Sequence, residues 1–271
     1  MRTDFTKMHG LGNDFIVLDA RAQAMPPVTA RFAAALADRR TGIGCDQLVL
    51  LEPTASDAAD FHMRIFNADG SEVEACGNAT RAVGLLHGQP ARIETVAGVL
   101  TTQPSDAGIA VDMGRPNLEW NQIPLAYAMD TLSMPVGWEE LENPVAVNVG
   151  NPHVIFFVPD TDAIELERLG PLIENDPLFP ERVNVNVATI VDRTTIRLRV
   201  WERGAGLTRA CGTGACATAI AAMRRGLTDR QVTVQLPGGD LSIGWDADQR
   251  IAMAGAAAES FRGSFEWDLY A

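Results

Sequence analysis

Two stretches decide how this chain is read: EACGNATRAV (residues 74–83) and RACGTGACAT (residues 209–218). Each sets Ala-Cys-Gly directly ahead of a small-residue apolar segment with helical character. The two cysteines, Cys76 and Cys211, lie 211 − 76 = 135 residues apart. The same offset lays Arg64-Ile65-Phe66-Asn67 over Arg199-Val200-Trp201-Glu202, two strand-like runs of basic, β-branched, aromatic and polar residues. Each run leads into a glycine-containing turn, ADGSEVE or RGAGLTR, before its cysteine. Further upstream, Gly12-Asn13 precedes FIVLD as Gly150-Asn151 precedes HVIFFV, at an offset of 150 − 12 = 138, so a small insertion separates the halves. A period of half the chain is too long for a solenoid. It implies two similar lobes.

The pattern is strand-rich. It predicts strands at 15–19, 48–51, 63–67, 93–96, 109–113, 145–149, 154–158, 185–190, 196–201, 232–236, 241–243 and 251–254. It predicts helices at 30–39, 78–87, 162–169 and 213–225. The last is apolar around nearly its whole circumference, which marks a buried helix. It ends in Arg224-Arg225-Gly226, with cations at the negative end of the dipole and glycine as the C′ residue. The fold expected is α/β of the α+β type: two pseudo-symmetric lobes, each a mostly antiparallel sheet or barrel wrapped around a central buried helix. Prolines and polar residues in 114–124 place the break there, giving an N-terminal lobe of 1–116, joined by a C-terminal strand at 259–271, and a C-terminal lobe of 117–258.

Composition narrows the function. The net charge of −13 and the absence of any Lys/Arg run disfavour nucleic acid and anionic membranes as partners. No apolar run reaches the ~18 residues of a spanning helix, and MRTDFTKMHG has no apolar signal core, so a cytoplasmic location is expected, with Cys45, Cys76, Cys211 and Cys216 as thiols. The chain has one lysine, Lys7, next to no phosphate loop, which argues against pyridoxal-phosphate chemistry. Cys211-x4-Cys216 lacks the tight paired spacing of a zinc site, so no metal is expected.

A helix N-terminus offers unpaired N–H donors and partial positive charge. It can hold a carboxylate and is expected to draw a cysteine pKa from about 8.5 toward neutrality. Gly77 and Gly212 let a ligand approach the backbone. Two such mouths on one α-amino acid would set a sulfur on each side of Cα. One thiolate removes the α-proton and the opposite thiol returns one, inverting the centre. Each sulfur then has to lie roughly 3–3.5 Å from Cα. An acid–base pair working near neutral pH suits thiols better than two carboxylates.

The residues also resemble a known family. MHGLGNDF (8–15), GIGCDQ (42–47), RIFNADGSEVEACGN (64–78), GNPH (150–153), PERVNV (180–185) and ERGAGLTRACGTGACA (202–217) look like signatures of the diaminopimelate epimerase family, spread along the whole chain. The resemblance implies cofactor-independent interconversion of LL- and meso-diaminopimelate in lysine and peptidoglycan-precursor biosynthesis, by a homodimer. It implies Cys76 and Cys211 as the acid–base pair. It implies substrate contacts from Asn13, Gln47, Asn67, Asn151, Asn184, Glu202 and Arg203, and from the backbone at Gly77-Asn78 and Gly212-Thr213. It implies that His153 and Glu202 tune the sulfurs. Arg203 suits a distal carboxylate and Glu202 an ammonium. One departure stands out: many members read Cys-Gly-Asn-Gly-Ala-Arg, where this chain has Cys76-Gly-Asn-Ala79-Thr80-Arg. Cys45 and Cys216 read as buried structural residues, and His9, His62 and His87 as structural. Two alternatives stay open: a related racemase acting on proline or hydroxyproline, and a dithiol redox protein.

Overall fold

In a computed structural model the chain is described at every residue except Ala22, Glu74 and Ala75. The first two residues of the 74–83 stretch thus lie outside the described residues. The fold divides into two compact units, Met1–Asp112 with Ala254–Ala271, and Met113–Met253.

The first unit runs β1 (Arg2–Gly10), β2 (Asn13–Asp19), α1 (Ala30–Ala37), β3 (Gln47–Glu52), β4 (Phe61–Asn67), β5 (Glu72–Val73), α2 (Gly77–His87), β6 (Ala91–Thr95), β7 (Gly98–Ser105) and β8 (Gly108–Asp112). Strands β1 and β2 form a hairpin, β2 and β3 are parallel, β3 and β4 antiparallel, β4 and β6 parallel, and β6–β7–β8 an antiparallel meander. Parallel neighbours need a crossover, and α1 and α2 supply the two. They cover opposite faces of the sheet, which explains why FIVLD is apolar without alternation. Phe15 and Val17 pack with Ala79, Ala82 and Val83 of α2. Ile16 and Leu18 pack with Phe32, Ala33 and Leu36 of α1.

The second unit repeats this plan. Its main elements follow a two-residue hairpin, β9 (Gly137–Trp138) and β10 (Leu141–Glu142). They are β11 (Val145–Asn148), β12 (Pro152–Phe157), α3 (Leu166–Glu174), β13 (Asn184–Asp192), β14 (Thr195–Glu202), β15 (Gly206–Thr208), α4 (Gly212–Arg224), β16 (Gln231–Leu236), β17 (Gly239–Trp245) and β18 (Ile251–Gly255). Again β11–β12 is a hairpin, β12–β13 parallel, β13–β14 antiparallel and β14–β16 parallel. Helix α4 is buried from Gly214 to Ala222, and Gly226 closes it at φ +69°. In the first unit Gly88, at φ +75°, closes α2. A last strand, β19 (Ala258–Glu266), pairs antiparallel with β1.

Three expectations need correction. The helix expected at 162–169 is a 3-10 turn, Thr161–Ala163, followed by α3, which continues to Glu174 through Pro171. Asp160 caps the short turn through Asp162 N, and the chain re-enters helix only at Leu166. Strand β1 is absent from the expected set because its buried positions include Thr3 and Lys7, which hide the apolar alternation. Strand β7 is mostly exposed and carries no apolar signal. Among the described residues, no helix is long and apolar enough to cross a membrane.

Candidate active site

In the first unit the strand registers gather three amides. Phe15 pairs with Gln47, and Gln47 pairs with Asn67. Asn13, two residues before Phe15 on the same strand, shares that face, which is the one α2 covers. Asn13 Nδ2 donates to Asp46 Oδ2 at 2.9 Å. Gln47 Nε2 donates to Asn67 Oδ1 at 3.1 Å, and Asn67 Nδ2 to Ser71 Oγ at 3.1 Å. Gln47 Oε1 is buried and has no hydrogen-bond partner among the described residues.

Behind Asn13 lies an ion network that the motif reading did not single out. Lys7 donates to Asp14 Oδ2 at 2.5 Å and to the Gly44 carbonyl, while Arg39 donates to Asp14 and Asp46. Burial pushes the Asp14 carboxyl up, but the bonds from Arg39 and Lys7 outweigh it and hold its pKa well below the usual range. The single lysine of the chain thus ties β2, at Asp14, to the loop at Gly44.

The hairpin of β4 and β5 delivers the chain to Cys76, the N-cap of α2, whose sulfur makes no capping bond. The first intrahelical bond is Thr80 N to Cys76 O at 2.9 Å, so helix geometry leaves the N–H groups ahead of it without an intrahelical acceptor. The Ala79-Thr80 departure fits the site. Ala79 is fully buried in the α2 core, and Thr80 Oγ1 donates to the Cys76 carbonyl at 2.8 Å. Arg81 is also fully buried, and its Nη2 donates to Asn78 Oδ1 at 2.7 Å.

The second unit repeats these positions with different chemistry. His153 pairs with Asn184 as Phe15 does with Gln47. Glu202 follows one step beyond the pair Val185–Trp201, beside Asn184. His153 is fully buried between Asn151 Oδ1, 3.0 Å from Nε2, and Asn186 Nδ2, 3.1 Å from Nδ1. Burial drives its pKa down to about 3, with the Arg203 charge acting in the same direction. The ring is thus neutral at pH 7. With Asn186 donating to Nδ1, the proton sits on Nε2 and faces Asn151 Oδ1, which leaves the Asn151 NH₂ as a donor. Asn184 is buried and joins backbone to backbone: Nδ2 donates to Pro152 O at 2.8 Å, and Oδ1 accepts from Arg203 N at 3.0 Å. Arg203 Nη1 donates to Glu181 O at 2.7 Å, and Thr208 Oγ1 to Glu202 Oε1 at 2.5 Å.

Cys211 is the N-cap of α4. Its sulfur accepts from Gly214 N at 3.3 Å and lies 3.5 Å from Thr213 Oγ1. The expectation of a lowered pKa is overturned here. Burial and then the Glu202 charge push the Cys211 thiol well above its ordinary value, and the Thr213 and Gly214 donors only partly offset them. Helix position alone does not set the acidity of a sulfur that is 4% exposed beside a carboxylate.

Cys45 belongs to the α1-side core, its pKa pushed up to about 12 by burial, and Cys216 lies inside α4. One functional-looking group escaped the sequence reading. Glu174, the last residue of α3, is buried and accepts three bonds: from Trp201 Nε1 at 2.8 Å, Gly204 N at 2.9 Å and Arg182 Nη1 at 3.2 Å. A glutamate at the end of an amphipathic helix carries no sequence signal of such a role.

Comparison with known proteins matches the sequence to a family. The family model described as diaminopimelate epimerase matches twice, at residues 5–119 and 145–259, once per half of the duplication. A diaminopimelate epimerase of Erythrobacter litoralis is 69% identical over 270 residues, covering 100% of both chains. That of Rhizorhabdus wittichii is 64% identical, covering 100% of this chain and 97% of the relative. Among solved structures, a PhzF-family phenazine biosynthesis protein of Bacillus anthracis superposes with a TM-score of 0.69 at 17% identity, over 98% of this chain and 99% of that one. A hydroxyproline epimerase from Agrobacterium vitis does so at 0.64 and 14%, over 97% and 92%. At those identities the likeness is one of fold.

Proposed function

The chain belongs to the diaminopimelate epimerase family, and we propose that it interconverts LL- and meso-diaminopimelate by two-base proton transfer between Cys76 and Cys211, in lysine and peptidoglycan-precursor biosynthesis. The observation that carries this reading is the recurrence of cysteine at the N-cap of the central helix in both units.

Each helix mouth, at Gly77-Asn78 in α2 and at Gly212-Thr213 in α4, offers N–H groups ahead of its first intrahelical bond that suit a substrate α-carboxylate. These donors stabilise the charge that develops as the α-proton leaves. Cys211, with its pKa raised by burial and Glu202, rests as the thiol. Cys76 then starts as the base. In one direction Cys76 takes the α-proton while Cys211 delivers its own to the other face of Cα, leaving Cys76 protonated and Cys211 as thiolate. In the reverse direction the roles exchange. Arg203 and the Asn151 amide suit the distal carboxylate, and Glu202 an ammonium. Asn13, with its NH₂ bonded to Asp46, presents its carbonyl oxygen as an acceptor, whereas Gln47 Oε1 is a buried acceptor with no partner among the described residues. His153 acts here through Asn151, as a neutral ring that sets the amide's direction.

The test is deuterium incorporation at Cα of LL-diaminopimelate in D₂O with no cofactor added. Exchange with formation of the meso isomer is expected. Exchange into proline or hydroxyproline but not diaminopimelate would move the activity to the neighbouring racemases. No exchange into any of them would leave the redox reading. A homodimer in the cytoplasm is part of the same proposal, and light scattering on the purified protein tests the dimer.

A further inference from the structure

We propose that Glu174 is a positioning residue that fixes the Glu202-Arg203 pair in place for the distal end of the substrate. The inference rests on the epimerase reading above.

Glu174 clamps this pair from both sides. Its Oε2 accepts from the indole of Trp201, the residue before Glu202, and its Oε1 from the backbone N–H of Gly204, the residue after Arg203. Arg182 adds a third bond to Oε1, its own side chain being about half exposed. The Glu174 side chain is 6% exposed, and the three donors pair both of its oxygens in the interior. A buried carboxylate costs stability unless it is well bonded. It also lies in the last turn of α3, where the helix dipole disfavours negative charge. Two unfavourable placements and three convergent donors fit a group whose role is geometric. Gly170, one turn earlier on α3, brings the helix so close to Trp201 that a Cβ there would lie 2.4 Å from the indole. Helix α3 thus presses on the end of β14 and holds it through Glu174. The other two supports of Arg203, Asn184 Oδ1 on its backbone N–H and Glu181 O on its guanidinium, act on Arg203 directly. The Ala205 N–H to Glu202 carbonyl bond, 3.0 Å, closes the turn from within, and among the described side chains Glu174 joins its two flanks, Trp201 and Gly204.

Arg203 reads the non-reacting end of the substrate, so its displacement weakens binding of ground and transition states alike. Such a loss appears in KM with kcat little changed. In Glu174→Gln one carboxylate oxygen becomes an NH₂ facing a donor, so either the Trp201 or the Gly204 bond is lost. We expect KM for LL-diaminopimelate to rise about tenfold or more, within the ~100-fold that a small misplacement can cost, with kcat within about threefold. Glu174→Gln combined with Arg203→Ala is expected to be no worse than Arg203→Ala alone, since coupled groups are not additive. The wild type, assayed alongside, separates failure of the epimerase reading from failure of this one. With an active wild type, three results would overturn the proposal: a KM within twofold of wild type in Glu174→Gln, a loss confined to kcat, or additive losses in the double variant. Should Glu174→Gln fail to fold, Trp201→Phe removes the indole donor, with part of the ring packed on Gly170, and leaves the Gly204 and Arg182 bonds to Glu174 in place. It is expected to raise KM by about threefold or more without additivity toward Arg203→Ala, and an unchanged KM overturns the proposal.

Discussion

The two units are built on one plan but are not chemically equivalent, and the difference lies at matched positions. Asn13, Phe15, Gln47, Asn67 and Cys76 in the first unit correspond, by strand register and helix position, to Asn151, His153, Asn184, Glu202 and Cys211 in the second. The first set holds no carboxylate, imidazole or guanidinium. The second holds a carboxylate and a buried imidazole, with Arg203 next in sequence. Inside the helices the contrast reverses: α2 buries Arg81 where the 135-residue offset puts Cys216 in α4. A cation therefore lies near the Cys76 helix mouth and an anion near that of Cys211. One plan thus carries a cysteine at the N-cap of each central helix, and neighbouring charges of opposite sign set the two apart; the base and acid roles proposed above follow that difference.

The largest test of this pairing removes one sulfur at a time. Cys76→Ala and Cys211→Ala are each expected to lower epimerisation by at least about 10³-fold, within the range general acid–base groups contribute. Epimerisation needs both groups, whereas exchange at Cα needs only a base. Retention of epimerisation above about a tenth of wild type in either variant would break the comparison at its root.

A second contrast concerns how each unit tightens the turn before its cysteine. Gly70, at φ +87°, approaches α1 so closely that a Cβ would lie 2.1 Å from the Ala30 carbonyl oxygen. Its counterpart near Gly204, at φ +75°, has nothing within 4 Å of that point. Here the brace is Glu174 instead. Gly70→Ala is expected to cost about 3 kcal/mol in urea unfolding, from overpacking added to backbone strain. Gly204→Ala should cost about 1 kcal/mol, from strain alone. Equal losses would show that the two turns are supported alike.

These comparisons also show what could be read beforehand. The duplication was legible because strand, turn, cysteine-glycine and helix recur in order, and the apolar runs of β2, β3, β12 and β13 mark strands covered on both faces. Asn13 and Asn151 were legible as partners of that repeat. Glu174 was not, because its role arises where the end of α3 meets the end of β14, 27 residues later in the chain. Lys7 was read only as a lysine next to no phosphate loop, because its bonds to Asp14 and the Gly44 carbonyl arise on folding. The acidity of Cys211 was read in the wrong direction because a helix mouth can be seen in sequence, whereas burial and the proximity of Glu202 cannot.

His153 against Phe15 provides a third test. The folded pKa of His153, about 3, lies below its unfolded value of 6.5. Its contribution is therefore fully present above pH 6.5 and is lost as pH falls, because only the unfolded chain takes up the proton. Between about pH 6.5 and 4.5, before most unfolded carboxylates titrate, stability should fall by up to about 1.4 kcal/mol per pH unit. His153→Phe, which copies the first unit, should flatten this slope whatever it does to stability at pH 7. An unchanged slope from urea melts at several pH values would assign the acid sensitivity elsewhere.

The smallest effect tests the sharpest difference, Glu202 against Asn67. Cys211 must carry a proton to act as the acid, so activity started with Cys76 as base falls on the alkaline side as Cys211 ionises. Burial and the Glu202 charge both delay that ionisation. Glu202→Gln keeps an oxygen for Thr208 and removes the charge, so the alkaline limb of kcat/KM should move to lower pH. The same substitution removes the partner proposed for a substrate ammonium, which raises KM without displacing either limb, so the shift in pH reports on Cys211 alone. A limb that stays in place would leave burial as the dominant cause of the raised thiol. The asymmetry between the units would then reside in how deeply each sulfur is enclosed, with Cys211 buried and Cys76 only partly so.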